Sequence, residues 1–240
     1  MTDVPADRQS RCAVVLGSAA RPDLIYWSTR WPQWYSPFDS YALRTPDGWV
    51  LIDPERPDDA VLERLRSLID RPPVATVLTS DGHERACYAV KERWNAPVWG
   101  PIPVESERGN GYDGMPDKLY QEGDGQRLPG ALTPIRVSGL WGGDHALFWK
   151  APSGESVLFS ADLLNGQVNL DLARPDHFRR PDALNFGSRP GYVERHPDRA
   201  ALAASLSRLL QEPIDLICGS HATPFRRDPR GAIERLLAGL

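Results

Sequence analysis

Three short stretches of the chain carry side chains able to act together: Thr79-Ser80-Asp81-Gly82-His83-Glu84-Arg85, Ser160-Ala161-Asp162 and Gly219-Ser220-His221. Each follows an apolar run, residues 74–79, 157–160 and 215–218, that reads as a buried strand. Polar groups on the loops after such strands are where binding and catalysis concentrate. If the strands lie in one layered sheet, their polar ends meet at one edge. An acid or a histidine from each loop is the minimum for a metal site built of imidazole and carboxylate ligands. No G-x-S-x-G elbow, P-loop or G-x-G-x-x-G occurs, so serine hydrolase and nucleotide-binding chemistry have no motif behind them.

The elements that must position these loops are legible from periodicity. Residues 12–16 and 24–27 are short apolar runs consistent with strands. Residues 41–45 and 49–53 flank Pro46-Asp47-Gly48 and read as a β-hairpin. Residues 58–69 place Val61, Leu62, Leu65, Leu68 and Ile69 on one face of an amphipathic helix, with acids in its first turn. A second helix is expected over 86–94, with Ala86, Ala89, Val90 and Trp94 on its apolar side. Residues 100–125 show little periodicity and read as a loop or short excursion. Strands follow at 132–137, 145–149 and 157–160, then an irregular, proline-broken stretch over 167–192. Helices over 198–211 and 230–240 bracket the last strand. Burying all these faces calls for paired sheets with helices outside, a layered α/β or α+β arrangement in one domain spanning 1–240.

Composition narrows the class. The chain has 240 residues, 28 Lys+Arg against 32 Asp+Glu, a net charge of −4 and 41% hydrophobic residues. That length can bury a sizeable core. With no basic surplus, neither nucleic acid nor an anionic membrane is an expected partner. No apolar run approaches the ~18 to 20 residues that span a bilayer. Residues 1–11 are polar and include Asp3 and Asp7, unlike a secretory signal, so a cytoplasmic location is expected. Cys12, Cys87 and Cys218 are odd in number and far apart, forming neither a disulfide framework nor a C-x-x-C knuckle. Cys87 and Cys218 read as small buried apolar groups. The 23 prolines and 20 glycines imply many loops between short elements.

From about Tyr41 to Leu240 the chain resembles the metallo-β-lactamase superfamily. The resemblance rests on order: a hairpin ending in Ile52-Asp53-Pro54, a helix, Val77-Leu78-Thr79 before the first polar loop, then residues 139–147, Leu158-Phe159-Ser160-Ala161-Asp162, and Ile217-Cys218-Gly219-Ser220-His221. It implies an α+β fold of the four-layer αββα sandwich type, holding one or two metal ions, most often zinc, that activate water for hydrolysis. Members usually show T-H-x-H-x-D-H, G-H-T-x-G, a later G-D and a final G-H. Here Thr79 matches; the first histidine falls on Ser80, the second on Gly82, the aspartate on Glu84 and the adjoining histidine on Arg85. The next histidine falls on Leu140, between the retained Gly139 and Gly143. Asp162 and His221 keep their identity, and Asp53 matches a position that supports the metal loop.

Gly82 and Leu140 carry no donor atom, Ser80 is a poor neutral ligand, and Arg85 brings a fixed positive charge. An ordinary two-ion site is therefore not expected. Arg85 is expected to pair with Asp162 or Glu84, replacing some missing metal charge. One position off the frame, Asp81 and His83 offer a rescue: a one-residue bulge brings His83 toward Asp162 and His221, three ligands for a single metal. The alternative is that His83 caps the helix start, with Glu84 favoured by the helix dipole. His145 opens a strand and has a structural reading, and His177 and His196 read as solvated.

Two functions remain open on these residues. One is a hydrolase with at most one metal ion, zinc, on His83, Asp162 and His221, cleaving a small ester, thioester, lactone or amide, with Asp81 and Glu84 as candidate catalytic residues. Its pocket would be walled by the aromatic loop over 27–38, with Trp31 and Trp34, and by Trp141 and Arg85. The other is a metal-free, non-catalytic relative that binds a small ligand or a protein. The choice of substrate and the formation of a homo-oligomer are left open.

Overall fold

The computed structural model describes residues 9–31, 37–103, 112–139, 144–165, 184–186 and 198–240. In chain order these form β1 (Gln9–Gly17), β2 (Pro22–Arg30), β3 (Phe38–Arg44), β4 (Trp49–Ile52), α1 (Asp59–Leu68), β5 (Pro73–Val77), α2 (Cys87–Trp94), β6 (Val98–Pro101), β7 (Lys118–Tyr120), β8 (Thr133–Arg136), β9 (His145–Lys150), β10 (Ser156–Phe159), β11 (Leu164–Asn165), β12 (Asn185–Phe186), α3 (Arg199–Leu209), β13 (Leu216–Cys218) and α4 (Pro229–Ala238). One sheet runs β1 to β7 in sequence order, antiparallel as far as β4 and parallel from β4 to β7. The other has the order β13-β10-β9-β8, with β13 parallel to β10.

The alternation of side chains along the strands decides the layers. On β4, Val50 and Ile52 face the second sheet, in a core with Leu147, Trp149, Val157, Phe159, Leu216 and Cys218. Trp49 and Leu51 point the other way and meet Val61, Leu65 and Leu68 of α1 and Val90 of α2. In the second sheet, Leu158 and Ile217 lie on the outer face against Leu202, Leu206 and Leu209 of α3 and Ile233 of α4. Each sheet is thus covered on both faces, which is why these short strands read as continuous apolar runs. The result is helix, sheet, sheet, helix, the expected αββα sandwich. Among the described residues no helix is long and apolar enough to cross a membrane.

The helix over 58–69 forms with Asp58 as its N-cap, the carboxylate accepting from Val61 N at 2.9 Å. Two expectations need correction. Trp27 is not in a loop: it lies in β2, buried over α1, with its indole N–H donating to Glu55 O at 2.8 Å. Residues 28–30 likewise belong to β2 and Phe38 opens β3, so of the expected aromatic loop over 27–38 the described residues outside strands are Trp31 and Pro37; Trp34 lies outside the described residues. In α2 the buried residues are Cys87 and Val90, while Ala89 is exposed and Trp94 is 43% exposed. The helix is only eight residues long and ends at a left-handed Asn95, so Trp94 is its last residue.

Candidate metal centre

Backbone bonds stitch the two sheets together where β5 and β13 end: Asp39 N donates to Ser220 O (2.8 Å) and His145 N to Thr79 O (2.8 Å). Within the second sheet, Ser220 N donates to Ala161 O (3.1 Å), tying the loops after β13 and β10. The buried Tyr41 hydroxyl donates to Gly219 O at 2.7 Å. A side chain at Gly219 would strike Leu164 O at 2.4 Å and Asn165 Oδ1 at 2.5 Å, so only glycine lets these segments come so close. That approach brings Asn165 Oδ1 to His221 N, 2.9 Å away.

At this seam His83, Asp162 and His221 converge, with one ligand atom from each lying within 4.8 Å of the others. His83 Nε2 is 3.4 Å and His221 Nε2 3.0 Å from Asp162 Oδ1. The far side of each imidazole is anchored. His83 Nδ1 lies 2.9 Å from Asp53 Oδ2, and His221 Nδ1 lies 2.7 Å from Pro37 O. A carbonyl only accepts, so His221 carries its proton on Nδ1 and presents Nε2 to Asp162. Asp53 is itself fixed by Thr79, whose N donates to Oδ1 at 2.8 Å and whose hydroxyl donates to Oδ2 at 2.5 Å. Imidazoles held this way by a carboxylate and a backbone carbonyl have the outer support that metal-ligating histidines show.

The donor set fits a cation. Four ligands at ~2.0 to 2.2 Å around zinc stand roughly 3.3 to 3.6 Å apart; the two imidazole–carboxylate separations here are 3.4 and 3.0 Å, with all three ligand atoms within 4.8 Å of one another. Asp162 Oδ1 is buried and meets no hydrogen-bond geometry among the described residues, although both Nε2 atoms are near it. Two imidazoles and a carboxylate are a catalytic zinc set with a position left for water.

Without a cation the site is held by charge. Burial alone would lower the His83 pKa, but the Asp53 and Asp162 carboxylates outweigh it and raise it to about 10. Burial would likewise raise Asp162, yet the His221 and His83 imidazoles hold it well below the usual carboxylate range. Asp53 is lowered for the same reason, its burial offset by His83. Asp144, buried beside this group, is pushed up to about 7 by burial and by Asp162. Three non-glycine residues around the site have left-handed backbone, Asp53 (φ 44°), Arg85 (φ 44°) and Ala161 (φ 50°). Such strain, about 1 to 3 kcal/mol each, persists where the surroundings overdetermine it, and it clusters at functional sites.

The remaining expectations divide. His83 does not cap α2: its N-cap is Ala86, with no side-chain cap bond. Arg85 pairs with neither Asp162 nor Glu84. Its Nη1 donates instead to the carbonyls of Asp39 (2.5 Å) and Asp53 (3.1 Å), because the left-handed turn at Arg85 sends the guanidinium to the β3 and β4 ends. Glu84 is occupied elsewhere, accepting from Tyr88 Oη (2.6 Å), Asp113 N (2.6 Å) and Gly114 N (3.1 Å). Asp81 is buried, with Ser80 Oγ 3.4 Å from its Oδ1. His145 opens β9, buried, with its ring 5.4 Å from Tyr120. Trp31 is half-buried; Trp141, Leu140, Gly143, His177 and His196 lie outside the described residues. Sequence reasoning missed Asp144, whose one signal was its place just after the loop aligned with a family histidine. It also missed Pro37, whose backbone carbonyl leaves no trace in residue type, and Asn165, whose side-chain Oδ1 accepts from His221 N but which lies in no motif.

No family model matches the chain, and no curated protein matches it. Solved structures do. A metallo-β-lactamase from Pontibacter korlensis superposes with a TM-score of 0.61 at 15% identity, over 95% of this chain and 98% of that one. A metallo-β-lactamase from Erythrobacter litoralis gives 0.57 at 16% identity, over 90% and 87%. A mutant flavo di-iron protein from Thermotoga maritima gives 0.61 at 13% identity, over 96% of this chain and 62% of that protein. At such identities the likeness is one of fold, and the fold is that of the metallo-β-lactamases.

Proposed function

We propose that this chain is a single-metal hydrolase, holding one divalent cation, zinc, through His83 Nε2, Asp162 Oδ1 and His221 Nε2, and acting on a small ester, thioester, lactone or amide. The observation that carries this reading is the pair of imidazoles anchored at Nδ1 and aimed with Nε2 at one carboxylate oxygen. A cation there supplies Lewis acidity, making water nucleophilic near neutral pH and polarising a carbonyl oxygen. The chain's own residues do the rest. Asp53 and Pro37 O fix the ring orientations, and Asp162 provides the negative charge. Of the two acids considered for proton transfer, Glu84 has both oxygens engaged with Tyr88 and the 112–114 segment, which leaves Asp81. The same two-histidine, one-carboxylate set also suits ferrous iron, so the ion must be identified directly.

A second reading has its own support. The imidazolium form of His83, set between Asp53 and Asp162, neutralises the site without any metal. A non-catalytic relative that binds a ligand in this cleft would need nothing more. Elemental analysis of protein purified without chelators, with melting curves in added zinc, separates the two. One ion per chain, a raised melting temperature, and hydrolysis of a nitrophenyl ester or lactone panel that chelator abolishes support the hydrolase. Metal-free protein with a melting temperature indifferent to zinc ends it, since a cation bound at 100 times its Kd adds about 2.7 kcal/mol to the native state.

A further inference from the structure

The two histidines owe their orientation to separate parts of the chain. His221 is held by the start of β3: Pro37 O accepts a hydrogen bond from its Nδ1–H, and the Phe38 ring packs edge-on against it, 5.6 Å between centroids. His83 is held by the turn after β4, through Asp53. The two supports are already joined by the pairing of β3 with β4, Tyr41 opposite Ile52, and by Ser40 Oγ donating to Asp53 O at 2.8 Å. Arg85 adds a brace that also reaches the ring packed on His221. Its Nη1 donates to the carbonyls of both Asp39 and Asp53, and its guanidinium stacks 5.1 Å over the Phe38 ring that backs His221. Its Nε and Nη2 are buried with no hydrogen-bond partner among the described residues. The guanidinium thus gives up water for two backbone carbonyls, one aromatic face and the attraction of the buried Asp39 and Asp53 carboxylates, all of them groups at the two supports of the site.

We infer that Arg85 is a positioning residue: by clamping the Pro37–Asp39 segment to the Asp53 turn, it sets the separation of the two imidazoles and hence the affinity of the site for a cation. The geometry of the clamp stands on the contacts above, and its consequence for cation binding rests on the single-metal reading. Arg85 lies two residues after His83, so one loop supplies both a ligand and the brace for the opposite ligand. The left-handed backbone at Arg85 is what turns the side chain under the site instead of out along α2. Lysine at this position keeps a charged donor but cannot bond two carbonyls in a fixed fork while stacking on a ring.

The test uses the full chain with Arg85→Met and Arg85→Lys, and with Phe38→Leu in case Arg85→Met does not fold. Cobalt(II) is titrated and followed by its visible absorption. In parallel, the ring nitrogens of His83 and His221 are observed by ¹⁵N NMR in chelator-treated protein. The expectation is a 10- to 100-fold loss of cobalt affinity in Arg85→Met, the range usual for groups that support ligands, with partial recovery in Arg85→Lys. In the metal-free spectra, the Nδ1–H signal of His221 seen in the parent broadens or is lost in the variant. If the parent binds cobalt and Arg85→Met binds it equally well with unchanged imidazole signals, the inference is overturned while the metal reading stands. If the parent binds no cobalt but the variant still loosens the imidazoles, the clamp stands and the metal reading falls. If neither cobalt nor imidazole signals respond, both fall.

Discussion

Asp53→Asn probes the electrostatic core of the site most directly. In chelated protein the His83 imidazole titrates at about 10 in the native state, against 6.5 for an ordinary histidine in the unfolded chain. Burial opposes that rise; Asp53 is the strongest influence favouring it, followed by Asp162. Between these two values the native state holds a proton that the unfolded state has lost. Unfolding therefore releases a proton, and stability must fall as pH rises. The contribution is complete below pH 6.5 and gone above about 10. Across pH 7 to 9 it removes about 2.5 kcal/mol, because each pH step of one inside that window is worth ~1.4 kcal/mol. Asparagine keeps an acceptor oxygen for Thr79 N, 2.8 Å from Asp53 Oδ1 in the parent, but removes the charge. Urea unfolding in chelator at pH 7, 8 and 9 should show the parent losing on the order of 2 kcal/mol and the variant less than half of that. Stability in the parent that is flat over this range, or an equal slope in the variant, would refute the assignment of His83 as a buried imidazolium held by Asp53.

Two further outcomes follow from the same geometry. Asp144 titrates at about 7, raised by burial and by Asp162, so its charged form is a cost that grows as pH rises from about 3.8 to 7 and then stays constant. Asp144→Asn should raise the stability of chelated protein at pH 8 by about 1 to 3 kcal/mol, with the gain shrinking toward pH 5, as read by denaturant melts; a loss at pH 8 would contradict it. Gly219→Ala places a methyl 2.4 Å from Leu164 O and 2.5 Å from Asn165 Oδ1, both stiffly held. It should cost about 1 to 3 kcal/mol and weaken cation binding together, because the displaced Asn165 orients His221 N. Calorimetry with and without zinc measures both, and an unchanged melting temperature would argue against the close seam.

Residue types and their spacing were enough to read the layers. Two-residue alternation in Trp49-Val50-Leu51-Ile52 and the helical spacing of Val61, Leu65 and Leu68 report which faces are buried, since burial acts on each residue through its own element. The same pattern put Asp162 and His221 just past strand ends. How His83 and Arg85 are used was settled only by the packed molecule. Loop residues have no period, and the direction of their side chains is set by whichever distant group accepts them. His83 is turned inward by Asp53, 30 residues away in sequence, and His221 by the carbonyl of Pro37, 184 residues away. Every residue offers a backbone carbonyl like those of Pro37, Asp39 and Asp53, so of these groups residue identity marked only the Asp53 carboxylate. The sheets had to meet before these three became the supports of a site.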